Sequence, residues 1–193
     1  MRIILIRHGR PAYSPPRTIG LDRLGDEVER YNEAEIAGST PPPFSAVDLA
    51  SQVDLLLASS LRRSIQSAAI LTSTKLIVDE VFREAEIPTR LPFPGGTRLF
   101  PLAWIAIARV MWLCGWSGSS ESFRSARRRA ATACERLTQL ASQHGDVMLV
   151  GHQMFNLLIA RELRLRGWRG PAIPPMSHWS RAIYERTATG PAE

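Results

Sequence analysis

The sequence is poor in cysteine: its 193 residues contain only Cys114 and Cys134. Two cysteines are too few for a disulfide framework or a cysteine-rich metal site, and they fit a reducing compartment. A long, uninterrupted apolar run is also missing. The longest apolar stretch, 99–116, contains Pro101 and Arg109, which favours a buried or covering helix over a membrane span. Because the N-terminal apolar run is too short for a secretory signal, we expect a cytoplasmic protein with no membrane partner.

Lysine is almost absent, since Lys75 is the only one among the 24 basic residues, against 18 acidic residues and a formal net charge of +6. A bias towards arginine often reflects base composition of the genome, so the charge alone does not indicate nucleic-acid binding, although it favours anionic ligands. The densest basic run, 127–129, lies in a helical pattern without interleaved aromatic residues. We interpret it as a solvated helix face and expect no nucleic-acid partner.

Apolar runs of strand length alternate with helical patterns along most of the chain. The runs are 3–6, 53–58, 76–78 and 147–150, with a last edge strand expected at 182–184. This alternation predicts an α/β fold, namely a three-layer, doubly wound, mostly parallel sheet with helices on both faces. Two stretches break the alternation, at about 13–45 and 90–116. We expect them to be insertions, the second a cap-like cover over the sheet edge, within a single domain that spans residues 1–193.

Residues suited to phosphate chemistry follow three of the predicted strands. Arg7, His8 and Gly9 follow the first strand, Arg63 the second and His152 the fourth. In an open α/β sheet, ligands bind beyond the carboxyl ends of the strands. A neutral imidazole is a nucleophile near pH 7, and an arginine fork matches phosphate oxygens. A glycine permits a sharp turn beside the nucleophile, where its carbonyl would fix the histidine tautomer.

Taken together, these motifs resemble those of the histidine phosphatase superfamily, also called phosphoglycerate-mutase-like. Arg7-His8-Gly9 resembles the signature after the first strand, and 59–68 is similar to the second motif. The segment 150–152 resembles the motif of the second histidine, and 120–122 resembles the start of the long penultimate helix. The resemblance extends from residue 1 to about residue 165.

The resemblance implies a phosphatase that hydrolyses phosphate monoesters through a phosphohistidine intermediate on His8. It implies a small phosphorylated substrate and no metal or organic cofactor, and it leaves the oligomeric state open, with a homodimer as one option. The catalytic residues it implies are His8, Glu84 and His152, and the substrate-binding residues are Arg7, Gly9 and Arg63. Glu84 is chosen as general acid because 82–84 resembles the family's acid motif, with Glu86 as the alternative.

The sequence departs from the family pattern around the expected acid. Residues 87–89 stand where a glycine and a tryptophan-glutamate pair are usual, and Gln153 follows His152 where glycine is usual. Two alternatives therefore stay open, a phosphoglycerate-type mutase and a catalytically degenerate protein that binds phosphorylated ligands. Of the remaining histidines, His144 is assigned a surface or packing role. His178 could reach the rim of the pocket, but a surface or packing role is favoured for it.

Overall fold

The computed structural model describes residues 1–71, 75–94 and 96–186, and the statements below concern these residues. Their regular elements comprise seven strands and six α-helices. In chain order they are β1 (Arg2–Arg7), β2 (Ile19–Gly20), α1 (Leu24–Glu33), α2 (Phe44–Ser51), β3 (Leu55–Ala58), α3 (Arg62–Leu71), β4 (Leu76–Val78), β5 (Arg98–Leu99), α4 (Pro101–Leu113), α5 (Phe123–His144), β6 (Val147–Gly151), α6 (Gln153–Leu165) and β7 (Arg181–Glu185).

The central sheet has five strands in the order β4-β3-β6-β1-β7. The first four are parallel, and β7 runs antiparallel to β1 at the edge. Strands β3 and β6 are buried throughout, as continuous apolar runs predict for parallel strands covered on both faces. Strand β6 lies between β3 and β1, so the carboxyl ends of these three strands are neighbours.

Helices cover both faces of the sheet and confirm the predicted three-layer α/β fold. On one face, Ile3 and Leu5 of β1 share a hydrophobic cluster with residues of α5 and α6. On the other face, Ile4 and Ile6 cluster with residues of α2 and α3. Successive residues of β1 thus enter opposite layers, as the alternation of side chains along a strand requires.

The long helix α5 begins and ends at recognisable signals. The side chain of Ser122 accepts a hydrogen bond from the backbone N of Ser125 at 3.1 Å, which caps the first turn. Gly145 follows the last residue with a φ of 94°, a conformation that glycine adopts without strain. These signals place the helix directly before β6, whose carboxyl end opens into the site described below.

The two stretches expected to be insertions contact each other. Strand β2 pairs antiparallel with β5, and the indole Nε1 of Trp104 donates to the carbonyl oxygen of Ile19 at 3.1 Å. A third hydrophobic cluster joins both stretches; it comprises Ile19, Leu24, Leu91, Trp104 and Ala108. The division into one domain with two insertions stays a prediction, as does a homodimer. Within the described ranges, no helix is both long and apolar enough to cross a membrane.

Replacement of Leu149 by alanine tests the role of β6 as the central strand. Leu149 is fully buried and lies between Leu5 of β1 and Leu57 of β3. We expect the substitution to lower the free energy of unfolding by about 2–5 kcal/mol, because it removes buried methyl groups and leaves a cavity. Chemical denaturation measures the change. The control is Leu102→Ala on α4, where the side chain is 75% exposed and the expected change is within about 0.5 kcal/mol.

Candidate active site

His8 lies at the carboxyl end of β1, where it is only 2% exposed. Its backbone N donates to the carbonyl oxygen of Gly151 at 3.1 Å, which joins it to the end of β6. Its ring Nδ1 lies 2.7 Å from the carbonyl oxygen of Gly9, and its Nε2 lies 3.2 Å from Nε of Arg63. A carbonyl only accepts and a guanidinium only donates, so Nδ1 carries the hydrogen and Nε2 keeps its lone pair.

The surroundings of His8 keep its imidazole neutral. Burial and the guanidinium of Arg63 hold the pKa of His8 well below its usual value of 6.5, and Arg7 acts in the same direction. The hydrogen bond to Gly9 opposes them without reversing the shift. Because a neutral imidazole with a free Nε2 is the nucleophilic form, the site maintains that form at neutral pH.

Arg63 is a buried cation whose hydrogen-bond partners are all neutral. Its side chain is 1% exposed and donates to Nε2 of His8 and to the carbonyl oxygens of Asn32 at 3.2 Å and Tyr31 at 3.5 Å. Its guanidinium carbon lies 4.9 Å from the centre of the Tyr31 ring. Among the described residues, no carboxylate lies within ion-pair distance of Arg63. An arginine in this state favours an anionic ligand.

His152 is a second buried imidazole beside His8. Its ring centre lies 5.0 Å from that of His8, and its Nε2 lies 2.6 Å from the hydroxyl oxygen of Ser59. Its Nδ1 is buried and has no hydrogen-bond partner among the described residues. Burial, followed by the charge of Arg63, holds the pKa of His152 well below 6.5. Nδ1 of His152 thus keeps a hydrogen-bonding capacity that no described residue uses.

Two serines of α3 tie the loops of the site together. The hydroxyl of Ser67 accepts from the backbone N of Gly9 at 2.8 Å and donates to the carbonyl oxygen of Arg63 at 2.6 Å. The hydroxyl of Ser64 accepts from the backbone N of Ser59 at 2.9 Å and donates to the carbonyl oxygen of Val150 at 2.6 Å. The segments that follow β1 and β3, together with the carboxyl end of β6, are therefore held against one helix.

Glu84 lies at the N-terminus of α6, beside His152. Its carboxylate accepts three backbone N–H groups, from Ala85 at 2.9 Å, Phe155 at 2.8 Å and Met154 at 3.2 Å. Two of these N–H groups belong to the first turn of α6, which has no other internal acceptor for them. A negative charge here also interacts favourably with the helix dipole. The structure thus places Glu84 against the first turn of α6, directly after His152.

Glu86 takes a different position. Its carboxylate accepts from the backbone N of Glu121 at 2.7 Å, before the start of α5. Arg109 of α4 donates to the carbonyl oxygens of Ala85 at 2.6 Å and Glu86 at 2.8 Å, so it braces the segment that follows Glu84. Of the two glutamates considered from the sequence, Glu84 thus lies at the N-terminus of α6 and Glu86 before the start of α5.

The interpretation of the basic run 127–129 as a solvated face is wrong for Arg129. This side chain forms two hydrogen bonds with the carboxylate of Glu121, at 2.9 and 2.6 Å. It also donates to the carbonyl oxygens of Val81 at 3.0 Å and Arg83 at 2.7 Å, and its guanidinium carbon lies 3.9 Å from the centre of the Phe155 ring. Arg129 therefore fixes the segment that leads into Glu84.

The segment before β7 reaches the same edge of the sheet. Arg7 donates from its guanidinium to the carbonyl oxygen of Met176, and its Nε is buried without a partner among the described residues. The ring centre of His178 lies 5.5 Å from that of His8, so this residue lies beside the site, the less favoured of the two positions expected for it from the sequence. The direction of β7 is the signal that predicts this position of His178, because an antiparallel edge strand starts at the edge of the sheet where its parallel neighbours end.

Most of the chain matches the model of a known protein family. The model of the histidine phosphatase superfamily, branch 1, matches residues 45–190. The chain belongs to this superfamily. The match includes the segments of Arg63, Glu84 and His152, and the structure adds His8 from β1 to them.

Solved structures share the fold of this histidine phosphatase superfamily member. A protein described as mycobacterial hydrolase 1 is 20% identical, with 94% of this chain and 89% of that chain covered and a TM-score of 0.64. A mycobacterial glucosyl-3-phosphoglycerate phosphatase in complex with VO3 is 22% identical, with 94% and 90% covered and a TM-score of 0.62. The product of an open reading frame of Mycobacterium tuberculosis is 18% identical, with 97% and 92% covered and a TM-score of 0.62. A search of curated proteins found no match.

Replacement of Gly9 by alanine tests the close approach beside the nucleophile. A Cβ atom at this position would lie 2.5 Å from Cζ2 of Trp179, whose indole is buried. We expect a loss of about 1–3 kcal/mol in the free energy of unfolding, because the ring must shift, together with a change in near-ultraviolet circular dichroism. Gly38→Ala is the control, since a Cβ there meets nothing within 4 Å. Equal effects of both substitutions would contradict the predicted clash.

Proposed function

We propose that this chain is a phosphatase that hydrolyses small phosphate monoesters through a phosphohistidine intermediate on His8. The observation that supports it most directly is the orientation of the His8 ring. Its Nδ1 hydrogen bonds to Gly9, and its unprotonated Nε2 faces the guanidinium of Arg63. A phosphate group drawn to Arg63 would meet the lone pair of Nε2.

The donors around His8 suit a phosphate dianion. Arg63 supplies a buried guanidinium group and Arg7 a half-buried one, and His152 supplies an Nδ1 that lacks a partner among the described residues. Such preorganised donors would bind the phosphate and stabilise the charge that develops during transfer. The carbonyl oxygen of Gly9 orients the His8 ring, and the lack of a side chain at Gly9 allows the indole of Trp179 to pack against the same turn.

The proposed reaction has two steps. In the first, Nε2 of His8 attacks phosphorus, the bond from phosphorus to the ester oxygen breaks, and protonated Glu84 gives its proton to the leaving alkoxide. In the second, water attacks phosphorus, Glu84 takes the proton of that water, and the phosphorus–nitrogen bond breaks to release phosphate. The three N–H groups that Glu84 accepts would stabilise its carboxylate between the two steps.

Replacement of His8 by alanine tests the nucleophile. We expect hydrolysis of an aryl phosphate to fall by on the order of 10³-fold or more, because the covalent route is lost. Brief mixing with a ³²P-labelled aryl phosphate and acid-free quenching should give labelled wild-type protein and unlabelled His8→Ala. His144→Ala, at the exposed end of α5, serves as the control. Unchanged activity in His8→Ala would refute the mechanism.

The same labelling separates the alternatives. Label that accumulates without turnover would indicate a protein that only binds phosphorylated ligands. Label that passes to a second position of a phosphoglycerate instead of to water would indicate a mutase. Label that is released as inorganic phosphate is the result expected of a phosphatase.

Replacement of Glu84 by glutamine tests the general acid. An alkyl phosphate needs protonation of its leaving group more than p-nitrophenyl phosphate does. We therefore expect Glu84→Gln to slow the alkyl substrate by about 10²–10⁴-fold and the aryl substrate much less. Glu86→Gln is the matched comparison, because its carboxylate accepts from Glu121 at the start of α5 instead. If Glu86→Gln shows the dependence on leaving group, the assignment moves to Glu86.

A further inference from the structure

His178 is a third imidazole at the site. Its ring lies 5.5 Å from that of His8 between ring centres, at an interplanar angle of 52°. Its Nε2 is buried and has no hydrogen-bond partner in the described part of the chain. A buried polar atom without a partner is costly, so a ligand that completes it stabilises the arrangement. His152 Nδ1 shares this property, and the His152 ring also lies beside His8, at 5.0 Å between ring centres.

The backbone beside His178 is held in an uncommon conformation. Trp179 has a φ of 60°, a left-handed geometry that bulky residues rarely adopt. Its backbone N donates to the carbonyl oxygen of Arg7 at 3.1 Å, and its indole Nε1 donates to that of Thr40 at 3.1 Å. With the indole also packed beside Gly9, the surroundings fix this conformation and with it the position of His178.

The charged groups that act on His178 are all basic. They are Arg7 at the end of β1, Arg10 in the following loop and Arg63 of α3, and His8 is the neighbouring titratable ring. Burial, together with these arginines, lowers the pKa of His178 to about 4. The imidazole is therefore neutral in the free protein. A dianion bound among the same arginines would counter their charge and favour the protonated ring.

We propose that His178 is a further substrate-binding residue, which donates a hydrogen bond from Nε2 to the bound phosphate group and takes up a proton from solvent as that group enters. The proposal rests on the proposed function, because it requires the phosphate to bind beside His8. It makes the binding of a dianion stronger as the pH falls towards the pKa of the bound ring. It also gives the segment before β7 a role in substrate recognition.

The test follows the four histidines of the chain by NMR. The full-length protein is labelled with ¹³C at histidine and titrated from about pH 3 to pH 8, with and without sulfate, which stays mostly a dianion over this range. His178→Gln and His144→Gln assign two of the four signals. We expect sulfate to raise the titration midpoint of His178 by at least about one pH unit. The signal of His144, at the exposed end of α5, should not respond to sulfate.

A second measurement compares sulfate affinity at pH 8 and pH 4 by calorimetry. We expect the affinity of the wild type to rise on acidification by at least about fivefold more than that of His178→Gln, since a rise of the pKa of His178 by one unit from about 4 has this effect at pH 4. On an aryl phosphate, His178→Gln should raise KM more than it lowers kcat. His144→Gln should match the wild type in both measurements.

The outcomes separate this inference from the function on which it rests. If the His8 and His152 signals respond to sulfate and the His178 signal does not, the role of His178 is wrong and the phosphate site stands. If none of the three responds, both are wrong. An equal pH dependence of sulfate affinity in the wild type and His178→Gln would also overturn the role of His178.

Discussion

The position of β6 between β3 and β1 is the constraint on which the site depends. Neighbouring strands lie about 4.8 Å apart, so the loops beyond three adjacent parallel strands start within about 10 Å of one another. His8 follows β1 and His152 follows β6, while Arg63 lies in the helix that follows β3. Their proximity is therefore a property of the sheet, and β7, running in the opposite direction, brings His178 to the same edge.

Charge and protonation at this edge depend on each other. The arginines that suit the site to an anion also disfavour the protonated forms of the imidazoles, and burial acts in the same direction. His8 thus keeps its Nε2 lone pair for the same reason that the site attracts phosphate. The serines of α3 maintain the distances that this coupling requires, because they join Gly9, Ser59 and Val150 to one helix.

The sequence predicts the part of the site that follows buried strands. Continuous apolar runs identify β1 and β6, and His8 and His152 come directly after them. Interactions between distant segments escape such patterns. The carboxylate of Glu84 accepts from the backbone N of Met154, 70 residues later in the chain. Arg129, expected on a solvated helix face, instead donates to the segment before Glu84. For His178 the sequence favoured a surface or packing role over a position at the pocket rim, because a short edge strand does not reveal its direction.

Because the buried Arg63 has only neutral partners among the described residues, an anion that binds to it links the stability of the fold to the concentration of that anion. An anion that binds only the native state adds a linkage free energy, which reaches about 2.7 kcal/mol when the free ligand is present at a hundred times its dissociation constant. Unfolding disperses the site, because Arg63 depends on α1 for its carbonyl partners and on β1 for His8. The melting temperature of this protein is consequently a function of the phosphate around it, and a value measured without phosphate is its lower limit.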